Sequence, residues 1–241
     1  MQHEEHLVHL RRELEALLAA AATAGPSAAV PTCADWTVAD LLDHLGEGYR
    51  RAAASVGAAS EPDVPPPADG PREAHEHLQA VLGAAGATAP AWTWDGTDAT
   101  AGFWSRRMAH ETAVHRVDVE LAAGLEPEPD DALAADGVDE LLRVFAAGDW
   151  SDLPQPGPPA TVVLRVPGGR AWTVRAEPTS LAVVDGAAGP HDEHGPADAT
   201  VRARAGALLL WLWGRPHGDL DVSGDAAAAH ALAERLRAVT T

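Results

Sequence analysis

The spacing of apolar residues changes character part-way along the chain. From residue 7 to 18, and in later segments up to residue 147, apolar positions recur every three or four residues, the period of a helix that buries one face. After Gly148 the apolar runs become short. Two of them, 161–166 and 171–176, flank a Pro-Gly-Gly turn, which is typical of a β-hairpin. The sequence therefore indicates a helical part followed by a mixed α and β part.

The domain organisation follows from this change. We expect five helices before it, at about 4–22, 38–54, 73–85, 102–123 and 130–147. Thr37 followed by Asp40 resembles a capping box at the start of the second helix. The sequence predicts a helical domain at 1–150 and a smaller α+β domain at 155–241, joined by a proline-rich linker at 152–159.

Composition excludes several kinds of partner and site. The formal net charge is −19, which disfavours nucleic acid and anionic membranes as partners. No apolar run reaches the roughly 18 residues of a membrane helix, and the N-terminus lacks the basic region of a signal peptide, so we expect a cytoplasmic protein. Cys33 is the single cysteine, which rules out an internal disulfide and any zinc site that needs several cysteines.

One pair of side chains suggests a metal site. Glu111 and His115 are four residues apart in a segment with helical spacing, so both lie on one face, one turn apart. His44, near the apolar stripe of another helix, could supply a third ligand. Two histidines, one carboxylate and an open position are typical of catalytic zinc.

The same residues also allow an interpretation without a metal. The chain has 12 histidines, and a buried histidine with a carboxylate partner is often only a satisfied polar pair. Arg107, one turn before Glu111, offers that carboxylate a simple ion pair. Asp118 could accept a hydrogen bond from His115 or pair with a nearby arginine. His3, His6 and His9 are expected to form an exposed polar face of the first helix.

Four segments resemble a known family. Residues 30–46 (VPTCADWTVADLLDHLG), 106–118 (RRMAHETAVHRVD), 208–215 (LLLWLWGR) and 220–225 (LDVSGD) are similar, in this order, to members of the mycothiol-dependent maleylpyruvate isomerase family. The resemblance implies a DinB-like four-helix bundle followed by a small α+β, sterol-carrier-like domain. It places metal ligands on His44, Glu111 and His115, and it implies an actinobacterial origin.

The resemblance also implies a chemistry. Such an enzyme holds one Zn²⁺ per chain and uses mycothiol, whose thiolate adds to an electrophilic small molecule. The outcome is either cis–trans isomerisation of a maleylpyruvate-like substrate or S-conjugation. Arg215, after the apolar helix of the second domain, is our candidate catalytic cation for an anionic substrate, although a surface arginine at a helix end is an equal alternative.

Tryptophans complete the candidate site. Trp36, Trp92 and Trp94 lie in loops of the helical half and are candidates for an aromatic wall that binds the cofactor. Two other functions stay open at this point: a non-catalytic protein that binds a metal or small molecule, and a hydrolase in which zinc-bound water reacts without a thiol. We expect a monomer or a weak homodimer.

Overall fold

The computed structural model describes residues 1–64, 70–94, 96, 98–149, 158–187 and 196–238. Most of the predicted linker at 152–159 lies outside these residues. The chain divides into two compact units, Met1–Pro129 and Asp130–Thr241. Among the described residues, no helix is both long enough and apolar enough to cross a membrane.

The first unit contains four described helices, which confirms the predicted DinB-like bundle. They are α1 (His3–Ala24), α2 (Val38–Ser55), α3 (Pro71–Ala85) and α4 (Ala101–Ala122). Helix α1 packs along α4, α2 packs along α3, and α2 also contacts α4. Leucines at helical spacing on α1, such as Leu10, Leu14 and Leu17, are fully buried and form part of the core.

Local signals fix where α2 begins. Thr37 is its N-cap: the Thr37 side chain accepts a hydrogen bond from the Asp40 N–H, and the Asp40 carboxylate accepts one from the Thr37 N–H at 2.8 Å. This reciprocal arrangement satisfies two backbone donors that would otherwise have no partner inside the helix. The capping box predicted from the sequence is therefore confirmed, and it sets the register of α2 that carries His44.

The prediction that α1 exposes a face with His3 and His6 is wrong. His3 and His6 are buried, at 8% and 4% exposure. The His3 ring has hydrogen-bonding contacts with the Ser105 hydroxyl at 2.9 Å and with the Leu82 carbonyl at 3.2 Å. Because α1 packs along α4, this histidine face turns toward the bundle, where polar partners on α3 and α4 compensate its burial.

The second unit combines helices with one sheet. Its described elements are α5 (Asp131–Glu140), a π-helical turn (Leu141–Ala146), β1 (Gly148–Asp149), β2 (Ala160–Arg165), β3 (Ala171–Glu177), β4 (Ser180–Asp185), β5 (Ala199–Arg202), α6 (Ala205–Leu212), β6 (Asp221–Gly224) and α7 (Ala226–Ala238). The described strands lie in the order β1-β4-β3-β2-β5-β6, antiparallel except for the β2–β5 pair. The predicted hairpin is the β2–β3 pair, and the α+β class is confirmed.

Helix α5 belongs to this second unit. Ala134 and Val138 of α5 share a buried core with Trp172 of β3 and with the apolar helix α6. The structure therefore divides the chain at Pro129, earlier than the boundary at 150–155 that the sequence suggested. The reason is that the apolar face of α5 packs into the core of the second unit. The helical periodicity of a sequence shows that a face is apolar, but not which core it joins.

A buried histidine in the bundle should make its stability acid-sensitive. His75 on α3 is 4% exposed, and its ring packs edge-on against Tyr49. Gln79 lies 3.3 Å from the His75 Nε2 atom, and its amide can donate to the neutral ring. Burial, with the nearby Arg11, lowers the pKa of His75 to about 4, although Glu15 opposes the shift.

We therefore expect the bundle to lose stability as the pH falls from about 6.5 toward 4. In that window the unfolded chain takes up a proton at His75 and the folded chain does not, so protonation favours unfolding. The effect between pH 7 and 5 should be about 1 to 2 kcal/mol.

Urea unfolding at both pH values, for wild type and His75→Gln, measures this effect. His77→Gln, an exposed position on the same helix, is the control and should keep the wild-type pH dependence. If the free energy of unfolding of His75→Gln fell between pH 7 and pH 5 by as much as that of the wild type, this account would be contradicted.

Candidate metal centre

Helix α4 presents polar groups inside the bundle. Almost every face of this helix is buried, so its polar side chains must find partners among themselves and on neighbouring helices. Glu111 and His115, one turn apart, retain only 24% and 11% side-chain exposure. The structure thus confirms that the two share one face.

The side chain of His44 meets this pair from α2. It is 43% exposed, so it lies at the edge of the bundle instead of fully inside it. His44 Nε2 lies 3.1 Å from Glu111 Oε1, and His115 Nε2 lies 3.2 Å from the same oxygen. One potential ligand atom from each of the three residues lies within 4.8 Å of the other two. The geometry therefore brings the three predicted ligands to a common point.

The other oxygen of Glu111 has its own partner. Arg107 Nη2 donates to Glu111 Oε2 at 2.9 Å, one turn earlier on α4, and the arginine side chain is only 3% exposed. The ion pair considered from the sequence is thus present, but it does not compete with the histidines because it uses the opposite oxygen. Arg107 fixes the carboxylate so that Oε1 faces the two imidazoles.

These contacts shift the acidity of two groups in opposite directions. Burial favours the neutral form of Glu111, but the hydrogen bond and charge of His115, with His44 and Arg107, outweigh it and hold the pKa of Glu111 well below its ordinary range. Burial also opposes charge on His115, yet hydrogen bonds with Asp118, Cys33 and Glu111 hold its pKa well above the usual value. The hydrogen bonds of the two rings to Glu111 are donated by imidazole N–H groups, because an ionised carboxylate can only accept.

The donor set fits a divalent ion of the zinc type. Two imidazole nitrogens and one carboxylate oxygen are ligands that zinc accepts, and three protein ligands leave a position for another donor. A cation at the meeting point would take the place of these N–H protons, because the same lone pairs face it. The residues present are thus chemically suited to the ion that the sequence suggested.

A second carboxylate near the site, besides that of Glu111, belongs to Asp118. Its carboxylate accepts a hydrogen bond from His115 Nδ1 at 2.9 Å, which is the hydrogen bond considered from the sequence. Arg116 pairs instead with Glu13 and Glu120. The sequence reasoning missed Thr32, whose hydroxyl also donates to Asp118, because nothing in local spacing connects residues 86 positions apart.

An open pocket of about 750 Å³ adjoins His44. Trp36 forms part of its wall and packs against the His44 ring, with the ring centroids 5.0 Å apart. The remaining lining is mostly acidic, with one arginine: Ala34, Asp35, Asp40, Asp43, Glu47 and Arg50. Of the three tryptophans predicted to bind the cofactor, Trp36 is the one that the structure brings to the ligand group.

Trp92 and Trp94 lie elsewhere in the first unit. Trp94 packs edge-on against Phe103 and Trp104, and the Trp92 carbonyl accepts a hydrogen bond from Trp104 Nε1 at 2.7 Å. Phe103 precedes Glu111 by eight residues, which is about 12 Å along a helix axis. The Trp94 ring and the Trp92 backbone carbonyl therefore contact residues at the start of α4, and neither tryptophan lines the described pocket beside His44.

Arg215 follows α6 in the second unit. Its guanidinium donates to the Trp213 carbonyl at 2.7 Å and lies over the Trp213 ring, 5.7 Å from the centroid. Its assignment as the catalytic cation stays a prediction.

Comparison with known families decides the relationship. The model of the mycothiol maleylpyruvate isomerase N-terminal domain matches residues 7–120, and that of the C-terminal domain of the same family (MDMPI) matches residues 132–231. The chain belongs to the mycothiol-dependent maleylpyruvate isomerase family. The resemblance noted in the sequence is thereby confirmed.

Solved structures agree on the fold. The chain is similar to the crystal structure of the mycothiol-dependent maleylpyruvate isomerase, with a TM-score of 0.61, 14% identity, and coverage of 95% of this chain and 96% of that one. A histidine-to-alanine mutant of the mycothiol-dependent maleylpyruvate isomerase gives a TM-score of 0.62 at the same identity and coverage. No curated protein sequence matches the chain.

Proposed function

We propose that this protein is a zinc-dependent enzyme that uses mycothiol as a thiol cofactor or co-substrate, with cis–trans isomerisation of a maleylpyruvate-like substrate as its reaction. S-conjugation of another electrophile is the variant of the same chemistry. The observation that carries the proposal is the meeting of His44 Nε2, Glu111 Oε1 and His115 Nε2 at one point in a member of this family.

The three side chains would hold the ion from two helices. His44 approaches from α2, and Glu111 and His115 approach from one face of α4. Zinc bound there would supply a positive charge that stabilises the thiolate of a coordinated thiol at neutral pH, where a free thiol is mostly protonated. Arg107 would keep Glu111 ionised and oriented, since it donates to the oxygen that does not face the histidines.

The pocket next to His44 supports a division of roles between the two reactants. Asp35, Asp40, Asp43 and Glu47 give it a negative wall, which disfavours an anionic substrate and accepts an uncharged or cationic group. Trp36 would provide an apolar surface for the thiol reactant. Arg50 is the arginine in the described lining of this pocket, where the carboxylates outnumber it, so for an anionic electrophile we propose a further cation, Arg215.

A direct assay tests the proposal. The purified protein should contain one zinc per chain and should isomerise maleylpyruvate only when mycothiol is present. Chelation should abolish turnover, and added zinc should restore it in the same sample. If maleylpyruvate is inert, a panel of electrophiles analysed by mass spectrometry should yield an S-conjugate.

Two results would redirect the assignment. Turnover that does not depend on any thiol would indicate a hydrolase. Stoichiometric zinc with no thiol consumption across all electrophile classes would indicate a binding protein.

A further inference from the structure

A buried carboxylate stands behind the metal-ligand group. Asp118 has no exposed side-chain surface, and burying a carboxylate is costly unless hydrogen bonds compensate it. Its Oδ1 accepts from the Thr32 hydroxyl at 2.5 Å, and its Oδ2 accepts from His115 Nδ1 at 2.9 Å. The Cys33 sulfur lies 3.8 Å from Oδ2. Asp118 is therefore held by two elements, α4 and the loop that precedes α2.

These bonds determine which nitrogen of His115 faces Glu111. With Nδ1 directed at Asp118, Nε2 is the nitrogen that points to Glu111 Oε1, 3.2 Å away. An imidazole rotates easily about its side-chain bonds, and a hydrogen bond at one nitrogen fixes the direction of the other. The orientation of His115 thus depends on where Asp118 is held.

The loop that carries Thr32 contacts the other histidine as well. Trp36, four residues after Thr32, packs against the His44 ring. Backbone hydrogen bonds close the turn between them, from Val30 N–H to the Trp36 carbonyl at 2.9 Å and from Trp36 N–H to the Cys33 carbonyl at 3.2 Å. Asp35 takes a left-handed conformation with φ of 63°, which lets the chain reverse within this short segment. The loop is ordered by its own bonds and contacts His44 directly and His115 through Asp118.

We propose that Thr32 and Asp118 are positioning residues: the loop between α1 and α2, through the Thr32–Asp118–His115 hydrogen bonds, sets the direction of the His115 lone pair and thereby the affinity of the metal site. This inference rests on the proposed function, because it concerns the same ligands. It adds that Thr32, which is not a metal ligand and lies 83 positions before His115 in the chain, controls the affinity of the site for zinc.

The test compares threonine variants that differ by one hydroxyl. Thr32→Val has nearly the shape of threonine but cannot donate, and Thr32→Ser retains the donor. Zinc affinity is measured by competition with a chromophoric chelator, and Co²⁺ binding is followed by its visible spectrum, which reports ligand geometry. Thr23→Val removes a hydroxyl from the exposed end of α1 and serves as the matched control. Circular dichroism checks that every variant is folded.

We expect Thr32→Val to bind zinc about tenfold more weakly and Asp118→Asn about 10- to 100-fold more weakly, as is usual when the partner of a metal-binding histidine is lost. Thr32→Ser should restore near-wild-type affinity, and Thr23→Val should have no effect. The Co²⁺ spectrum of Thr32→Val should shift.

Wild-type zinc affinity and an unchanged Co²⁺ spectrum in folded Thr32→Val would overturn the inference and leave the proposed function intact. Absence of zinc binding by the wild type would overturn both. If Thr32→Ser bound zinc as weakly as Thr32→Val does, the inference would also be overturned, because the size of the side chain and not its hydroxyl would then determine the affinity.

Discussion

Replacing His115 with alanine should remove zinc and thiol-dependent activity together while the bundle stays folded. His115 is the ligand whose two nitrogens are both engaged, one facing Glu111 and one bonded to Asp118. Loss of one of three ligands should weaken zinc binding by more than the roughly 10- to 100-fold that is typical when a hydrogen-bond partner of a ligand is replaced. Atomic absorption of the purified variant and the mycothiol-dependent assay measure the two losses.

The fold should survive this substitution at a moderate cost. Asp118 would lose one of its donors, which costs about 1 to 3 kcal/mol for a buried group. His44→Ala provides a second variant with a smaller effect on folding, since its side chain is 43% exposed. His230→Ala, a 72% exposed histidine on α7, controls for histidine loss in general and should retain both zinc and activity. Stoichiometric zinc in His115→Ala would refute the assignment of this ligand.

The second large effect concerns the sheet unit. Replacing Asp139 with alanine should destabilise it by about 2 to 4 kcal/mol. The Oδ1 atom of Asp139 accepts hydrogen bonds from Trp172 Nε1 at 2.9 Å, Arg143 Nε at 3.0 Å and Arg170 Nη2 at 2.6 Å. Trp172 is fully buried, so its indole N–H would lose this acceptor in a place where water does not easily replace it.

Asp185 offers a matched control for this prediction. It pairs with the same two arginines, Arg143 at 2.7 Å and Arg170 at 3.5 Å, but its side chain is 71% exposed. Exposed ion pairs contribute little because water and salt screen them, so Asp185→Ala should cost less than about 1 kcal/mol. Urea unfolding followed by circular dichroism compares the two variants. Equal losses would show that surface charge, and not the buried indole bond, holds this region together.

Local patterns predicted much of the structure. The Thr37–Asp40 capping box and the shared face of Glu111 and His115 both depend on spacings within one helical turn, which the sequence displays directly. The hairpin of β2 and β3 was also visible, because a turn motif separates two apolar runs. Such features are confirmed because they need no knowledge of the tertiary packing.

Features that depend on packing were harder to predict. The spacing of His3 and His6 correctly places them on one face, but only the packing of α1 on α4 decides that this face is buried. The link between Thr32 and Asp118 joins distant parts of the chain, and no local rule reveals it. Helix α5 has ordinary helical periodicity, and its membership of the second unit depends on which core its apolar side meets.

The single thiol of the chain has a practical consequence. Cys33 is partly buried beside Asp118, and it is the one cysteine in the sequence. A fluorophore or a mass tag directed at sulfhydryls would therefore label one position without prior mutagenesis, next to the Asp118 carboxylate that contacts His115. The rate of that alkylation, compared with and without added zinc, would report how far the Cys33 sulfur is protected beside Asp118.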